Sequence, residues 1–259
     1  MLDPLLEACD VSPEKLFIVP GNHDLDRDSF NREPEGFYDL LKSYKGVKDC
    51  LEVCECKKKI LKPFEAFTSF VQGYNEQEHP NYACIKKMPI RGREIALLGL
   101  NSAWACGHHK DDSNKIDDRF FVFIGEQQVY DPLESISDAE IKIAVLHHPF
   151  EWLNKIDSDA VMDWLKNKCD FILQGHQHRS NVEVIHSPSG SCTIMPAGAC
   201  YNRRTTEDLR YANSYNFVHF DFDSKDFVVF FRRWSEARKK WVEDVDSCDH
   251  GKWEYRTTL

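Results

Sequence analysis

The sequence predicts an α/β fold in which helices lie outside two β-rich sheets. Over the first two thirds of the chain, short apolar runs typical of buried strands alternate with segments of helical periodicity. From residue 182 to residue 234 the pattern is almost entirely strand-like, with short runs rich in β-branched and aromatic residues. No internal repeat or low-complexity linker interrupts the 259 residues, which are therefore predicted to form a single domain.

The individual elements follow from the spacing of apolar residues and from the turn residues that bound them. The apolar run at residues 16–19 is closed by Pro20-Gly21 and is predicted to be a buried strand. Two β-rich runs on either side of residues 89–93 predict a hairpin. In chain order the pattern predicts strands at 16–19, 82–88, 94–100, 141–146, 169–173, 182–186, 192–195, 215–222 and 226–233, and helices at 2–8, 37–41, 64–74, from 125, and 159–168.

Composition and charge exclude several classes of protein. The formal net charge is -10 and no long basic block is present, which argues against nonspecific binding to a bare phosphate backbone. No apolar run approaches the ~20 residues that a membrane-spanning helix needs. The first ten residues also lack the basic flank and apolar stretch of an export signal. We therefore expect a cytoplasmic protein that does not enter a membrane.

The chain contains ten cysteines, most of them single and in apolar surroundings. A chain of this length without an export signal is expected to keep them reduced, as small core residues. The one cluster is Cys50, Cys54 and Cys56, next to three lysines. No second pair follows at zinc-finger spacing, so a structural zinc there is the less favoured alternative.

Polar residues of the kind that bind metals follow three of the predicted strands. These residues are Asn22-His23-Asp24, His147-His148 and Gly175-His176-Gln177-His178. The carboxyl ends of strands are where α/β sheets build their sites, and several buried imidazoles without an ion would leave costly unpaired polar groups. In the last group, the i, i+2 spacing puts both imidazoles on one face of an extended segment. A mixed amide and imidazole set indicates a divalent transition metal.

These three blocks resemble the last three signature blocks of the calcineurin-like metallophosphoesterases. The order and the strand-end placement are also similar, over roughly residue 15 to residue 235. The run Leu146-His147-His148-Pro149 and the residues after it are similar to the bacterial branch, found as stand-alone enzymes or as modules of larger proteins. The resemblance implies a metallophosphoesterase-like four-layer α/β/β/α sandwich with mixed sheets.

The resemblance also implies a function, namely metal-dependent hydrolysis of phosphoesters by a phosphodiesterase, nuclease or phosphatase. Two divalent ions (Mn, Fe, Zn or Ni) would present a hydroxide for in-line attack. A nucleotide, a nucleic acid or a phosphoprotein remains open as the substrate, as do additional domains in a longer parent protein.

The resemblance also implies roles for individual residues. The metal ligands are Asn22, His147, His176 and His178, and the catalytic acid and its orienting carboxylate are His23 and Asp24. The candidate substrate contacts are Arg27, Asn101 and Arg203, with Arg204 and Arg210 in the same loop as Arg203. For these three loop arginines, an ordinary solvated surface loop is the favoured alternative.

Two earlier blocks of the family have no counterpart in the sequence. No Asp is followed by His two residues later, as a D-x-H block requires, and no Gly is followed directly by Asp, as a G-D-x-x-D block requires. We therefore expect an N-terminally truncated domain that holds at most one ion weakly and is weakly active or inactive alone. A degenerate, non-catalytic interaction or regulatory module is the alternative function, and a protein built around a single metal is a third.

Overall fold

The structure is a computed structural model that describes residues 2–26, 36–77, 83–107, 109, 113, 115–176, 182–188, 190–199 and 213–256. It confirms the predicted α/β class, with a six-stranded mixed sheet accompanied by helices. The α-helices are α1 (Leu2–Cys9), α2 (Phe37–Leu40), α3 (Tyr44–Glu52), α4 (Cys54–Leu61), α5 (Glu65–Asn75), α6 (Tyr130–Ser135) and α7 (Lys155–Lys168). The strands are β1 (Ala83–Ile90), β2 (Arg93–Leu100), β3 (Ile141–Leu146), β4 (Phe171–Gln174), β5 (Glu183–Ser187), β6 (Gly190–Pro196), β7 (Ser214–Phe220), β8 (Phe227–Ser235), β9 (Lys240–Glu243) and β10 (Lys252–Tyr255).

The six-stranded sheet has the order β1-β2-β3-β4-β6-β5. Strands β1 and β2 form the predicted hairpin, antiparallel and paired from Ala83 with Leu100 to Ile90 with Arg93. Strand β3 then pairs parallel with β2, so that Leu100 lies opposite Leu146 at their carboxyl ends. The polar residues that follow these two strands are therefore brought to the same edge of the sheet.

The chain divides into two compact units, of which the first comprises Met1–Ile172 and Ile185–Cys192. Its core is built around β2 and β3, where Leu98, Leu100 and Leu146 are almost completely buried. The aromatic rings of Trp104 and Phe123 pack against each other with their centroids 6.1 Å apart. This core fixes the backbone from which the candidate site residues project.

The second unit comprises Leu173–Val184 and Thr193–Leu259. It contains a four-stranded sheet in which β8 lies between β7 and β10 and also pairs with β9. All of these pairings are antiparallel. Alternate residues of β8 are buried, beginning with Phe227 and Val229, and Phe230 on the opposite face stacks on Phe217 with centroids 4.6 Å apart. This alternation of burial is the pattern expected of an antiparallel sheet with one covered face.

Residues 16–19 do not form the predicted strand. The backbone of Ile18 is instead bonded to the side-chain amide of Gln77, which accepts from the Ile18 N–H at 3.0 Å and donates to the Ile18 carbonyl at 2.7 Å. Asn75 similarly donates to the Leu16 carbonyl at 2.9 Å. Two side-chain amides at the end of α5 thus supply the hydrogen bonds that a neighbouring strand would otherwise make. Apolar spacing alone could not distinguish these two arrangements.

Replacing Gln77 with alanine is expected to lower the free energy of unfolding by about 2 kcal/mol, because two backbone groups of Ile18 lose their partners. Gln77 is buried, so the variant also leaves a small void where the amide lay. Urea denaturation followed by circular dichroism measures the change. The matched control is Gln72→Ala, an exposed glutamine on α5, for which we expect no measurable loss. Equal free energies of unfolding for the two variants would contradict the proposed stabilisation of the Ile18 backbone by Gln77.

Other differences from the predicted elements have local causes. Helix α7 begins four residues earlier than predicted because the Asn154 side chain caps it, accepting from the Ile156 N–H at 3.0 Å. Helix α3 lies within the segment between residues 37 and 74 that the sequence predicts to be mostly helical, and Ser43 sets its start by accepting from the Gly46 N–H at 3.1 Å. The short strands β9 and β10 were missed. Among the described parts of the chain, no helix has the length and apolar character needed to cross a bilayer.

Candidate metal centre

The block Gly21-Asn22-His23-Asp24 forms a tight turn. The carboxylate of Asp24 accepts from the Gly21 N–H at 2.8 Å, and the Asp24 N–H donates to the Gly21 carbonyl at 3.1 Å. These bonds hold the two residues between them at the tip of the turn, where His23 is exposed. The side-chain oxygen of Asn22 is buried and has no hydrogen-bond partner among the described residues. A buried, unpaired amide oxygen is costly unless something binds it, and it is a suitable ligand for a divalent cation.

The turn lies directly against the second predicted block. A Cβ atom built on Gly21 would be 2.9 Å from Nδ1 of His147 and 3.0 Å from its Cε1 and Cγ atoms. Only a residue without a side chain allows this approach, which explains why glycine precedes Asn22. The structure therefore brings the Asn22 turn and the His147 imidazole together, although they are 125 residues apart in the sequence.

His148 is completely buried and belongs to a hydrogen-bonded group inside the fold. Its backbone N–H donates to the Ser102 hydroxyl at 3.1 Å, and its Nδ1 lies 2.9 Å from the same oxygen. We assign the hydroxyl proton to the bond with Nδ1, which puts the His148 proton on Nε2. That nitrogen faces the Cys106 sulfur at 3.8 Å. In this tautomer His148 has no nitrogen lone pair to give to an ion.

The Cys106 thiol also stays neutral in this interior. Burial raises the pKa of Cys106 well above its usual value, and the nearby Asp118 carboxylate adds to the shift. Asp118 itself is buried and accepts from the Gly107 N–H at 2.8 Å. A thiol that resists ionisation is a poor metal ligand and a poor nucleophile. Ser102, His148 and Cys106 therefore form a buried hydrogen-bonded group that stabilises the backbone next to His147.

His176 follows β4 after Gly175, is half-buried, and has a left-handed φ of 63° that is unusual for a residue with a side chain. Because the Ser102 bond occupies His148, His147 is the imidazole of this pair that is suited to an ion. His147 and the unpaired oxygen of Asn22 fit the amide and imidazole ligand set expected from the sequence, in which the part of His176 stays a prediction.

Residues 2–180 match the sequence profile of the calcineurin-like phosphoesterases, which covers more than half of the chain. The chain belongs to the calcineurin-like phosphoesterase family. No curated protein sequence matches it. Among 13 matching chains of solved structures is a hypothetical protein from Thermus thermophilus, which is 10% identical with a TM-score of 0.30. The alignment covers 67% of this chain and 62% of that one, so this chain spans less than two thirds of that protein's length.

Membership of the phosphoesterase family supports two of the coarser predictions directly. The family hydrolyses phosphoesters and generally binds divalent metals, and Asn22, His147 and His176 lie among the residues that the profile matches. The roles of individual residues, the number of ions and their identity stay predictions. In particular, Asp24 bonds to Gly21 in the structure, and its proposed orientation of His23 stays a prediction as well.

Of the candidate substrate contacts in this phosphoesterase, only Asn101 lies within the described residues. It is buried, with 4% of its surface exposed, and its side-chain oxygen accepts from the Ala103 N–H at 2.9 Å. The Gln128 amide bonds to both the N–H and the carbonyl of Asn101, each at 2.9 Å. These hydrogen bonds show that Asn101 stabilises the backbone at the end of β2. Its contact with substrate stays a prediction. The predictions that lie outside the described residues are Arg27, His178, Arg203, Arg204 and Arg210.

The cysteine cluster is separate from the histidines. Cys50 on α3 is buried, and its thiol donates a hydrogen bond to Cys56 on α4, which lowers the pKa of Cys56, with the Lys59 ammonium adding to the shift. Cys54 is exposed. The three sulfurs do not form a group of metal ligands in the described structure, so the alternative of a structural zinc gains no support there.

The residue that the sequence reasoning missed at this site is Ser102. It follows Asn101 at the carboxyl end of β2, directly beside the end of β3 that carries His147 and His148. A polar pair at a strand end was visible in the sequence, and the parallel pairing of β2 with β3 was the missing information. Trp152, whose ring stacks on His148 with centroids 6.1 Å apart, could have been found from its place four residues after His148.

Proposed function

We propose that this chain is a metal-dependent phosphoester hydrolase whose site is built from the Asn22 turn and the imidazoles of His147 and His176. The observation that carries the proposal is the buried and unpaired oxygen of Asn22, on a turn whose glycine lies against the His147 ring. A structural turn has no need to bury an amide oxygen without a partner, whereas a ligand for a cation does.

Asn22, His147 and His176 would hold one divalent ion, and His178 would contribute to a second. A bound ion supplies Lewis-acid polarisation of the phosphoryl group and activation of water. Manganese, iron, zinc and nickel all suit amide and imidazole ligands. The hydrogen bond from the His148 N–H to the Ser102 hydroxyl stabilises this arrangement, because it fixes the backbone immediately after His147.

We propose that His23 donates the proton that the leaving group requires. It is exposed at the tip of the turn, next to Asn22, where a phosphoester bound by the ion would lie. An imidazolium there can donate a proton to the leaving oxygen. The carboxylate of Asp24 contributes by closing the turn through Gly21, which fixes the direction in which His23 projects.

The alternative function is a non-catalytic interaction module on the same fold. Its support is the absence of the D-x-H and G-D-x-x-D blocks from the sequence, which removes the carboxylates expected to balance the charge of two ions. The proposed ligands that remain, the Asn22 amide and three imidazoles, carry no negative charge. A site of this composition favours one ion over two.

Manganese-dependent hydrolysis of bis-p-nitrophenyl phosphate tests the proposal. The expected result is slow release of p-nitrophenolate that requires manganese and stops on addition of a chelator. Isothermal titration with manganese, in parallel, reports ion binding independently of turnover. Binding of manganese without any hydrolysis would favour the interaction module, and absence of both would overturn the assigned metal site.

A further inference from the structure

Phe120 is an aromatic residue that the site described so far does not use. Its side chain is 60% exposed, the most exposed of the large hydrophobic residues in the described structure. Its backbone φ is 63°, a left-handed conformation that is rare for a bulky residue and is usually found where function requires it. A protein gains nothing in stability from holding a large ring in water on a strained backbone.

The backbone of Phe120 is nevertheless held firmly. Its N–H donates to the Trp152 carbonyl at 3.0 Å, and its own carbonyl accepts from the Asn154 side chain at 2.7 Å. Asn154 is itself fixed, because it also caps α7. The next residue, Phe121, donates its N–H to the Asp118 carbonyl at 2.9 Å. The Phe120 ring is therefore presented to solvent from a rigid support, which reduces the entropy lost when a ligand packs on it.

A continuous series of ring contacts connects this support to the candidate metal ligands. The rings of His147 and His148 have centroids 4.8 Å apart, and Trp152 stacks on His148. The guanidinium of Arg119 lies over the Trp152 ring, 5.6 Å from its centroid. Arg119 and Phe120 are thus adjacent residues of the segment that contacts Trp152, whose ring stacks on His148 next to His147.

We propose that Phe120 determines substrate selection by stacking against a flat aromatic group, such as a nucleobase, carried by the phosphoester. This inference rests on the proposed hydrolase function. An exposed ring offers its face to planar groups of any sequence or substitution. The Arg119 side chain is 61% exposed and lies 3.8 Å from Asp117, so the residue that precedes Phe120 carries a partly balanced positive charge. A ligand that combines an anionic phosphate with a planar ring matches both features.

Equilibrium binding separates Phe120 from the rest of the site. Thymidine 5'-monophosphate and methyl phosphate are titrated into the manganese-loaded protein, wild type and variants, by isothermal calorimetry. Phe120→Ala should weaken binding of the nucleotide by about 5- to 30-fold, the range that corresponds to loss of one stacked base. Binding of methyl phosphate should not change. Phe120→Trp should retain nucleotide binding, and Phe120→Leu, which is apolar but not flat, should not.

The matched control is Phe217→Ala, which removes another exposed aromatic ring, in β7. We expect it to bind the nucleotide as the wild type does. Nucleotide affinity that is unchanged in Phe120→Ala, or absent in the wild type, would overturn this inference. If such a protein still hydrolyses bis-p-nitrophenyl phosphate, the proposed function stands without it. Absence of manganese-dependent hydrolysis would overturn the proposed function instead, whatever the nucleotide affinity.

Discussion

Replacing Gly21 with alanine is expected to reduce phosphoester hydrolysis on the order of 100-fold, the size of loss that a displacement of about 1 Å in a catalytic group produces. The added Cβ would lie 2.9 Å from Nδ1 of His147, closer than atoms that are not bonded approach. The backbone of Gly21 has no positive φ, so alanine fits it without strain. The contact must therefore be relieved by moving either the His147 ring or the turn that carries Asn22, and both moves separate the proposed ligands.

Gly73→Ala is the matched control, because a Cβ on that glycine of α5 would meet no atom within 4 Å. It should leave hydrolysis unchanged and raise helix stability slightly. Manganese titration of both variants shows whether the loss arises from the metal site. A Gly21→Ala protein with wild-type manganese affinity and wild-type rate would show that the close approach to His147 has no part in function.

Asp157 is expected to produce the largest effect on stability. Its buried carboxylate accepts the backbone N–H groups of Ile124 and Gly125, at the point where the chain turns into the segment that holds Gln128. Asp157→Ala leaves both donors buried and unpaired, which should lower the free energy of unfolding by about 2–4 kcal/mol. Guanidinium denaturation at pH 7 measures the loss. A change under about 1 kcal/mol would mean that water replaces the carboxylate easily.

The contribution of Asp157 should also depend on pH, with a definite sign. Burial raises the pKa of Asp157 from 3.8 to about 6, while the bonds from Ile124 and Gly125 act in the opposite direction. Between these two values the native state binds more protons than the unfolded state, so stability decreases as pH rises from about 4 to above 6. The total loss is up to about 3 kcal/mol, since one pKa unit corresponds to about 1.4 kcal/mol.

The non-titrating Asp157→Asn variant isolates this pH dependence. The free energy of unfolding of the wild type, minus that of the variant, should fall between pH 4 and pH 7. Other ionisable groups cancel in this difference, because both proteins carry them. A difference that is constant with pH would show that Asp157 has an ordinary pKa in the folded protein.

Strands and ligand residues could be predicted where the sequence carries a local signal. Strand β3 was predicted with its observed bounds, and the β1–β2 hairpin differs by a residue or two at its ends, because buried strands and turn residues are both local features. Asn22 and His147 were recognised as candidate ligands from residue type and position after a strand or apolar run. The close approach of the turn to His147 could not be predicted from spacing, and the resemblance to a family supplied the expectation that the two belong to one site.

The remaining features depend on contacts between distant residues. Gln77 takes the place of a strand partner for Ile18 across 59 residues, and nothing in the apolar run at 16–19 indicates this. Ser102 and His148 are 46 residues apart, and their bond distinguishes His148 from its neighbour His147, which is the same residue type in nearly the same sequence context. In both cases a side chain of one element satisfies a polar group of another, which is a property of the folded chain and not of any segment.

The pairing of Ile18 with a single glutamine side chain has a consequence for how the Asn22 turn can move. In a sheet, the backbone that leads into such a turn would open only when a whole ladder of hydrogen bonds breaks. Here one rotation of the Gln77 side chain frees both polar groups of Ile18. Opening of the turn would therefore cost about 2 kcal/mol for these two bonds, in addition to the packing of Phe17 and Val19 against Gly99 of β2, and these few contacts set how far the ligand geometry at this end of the fold can adjust.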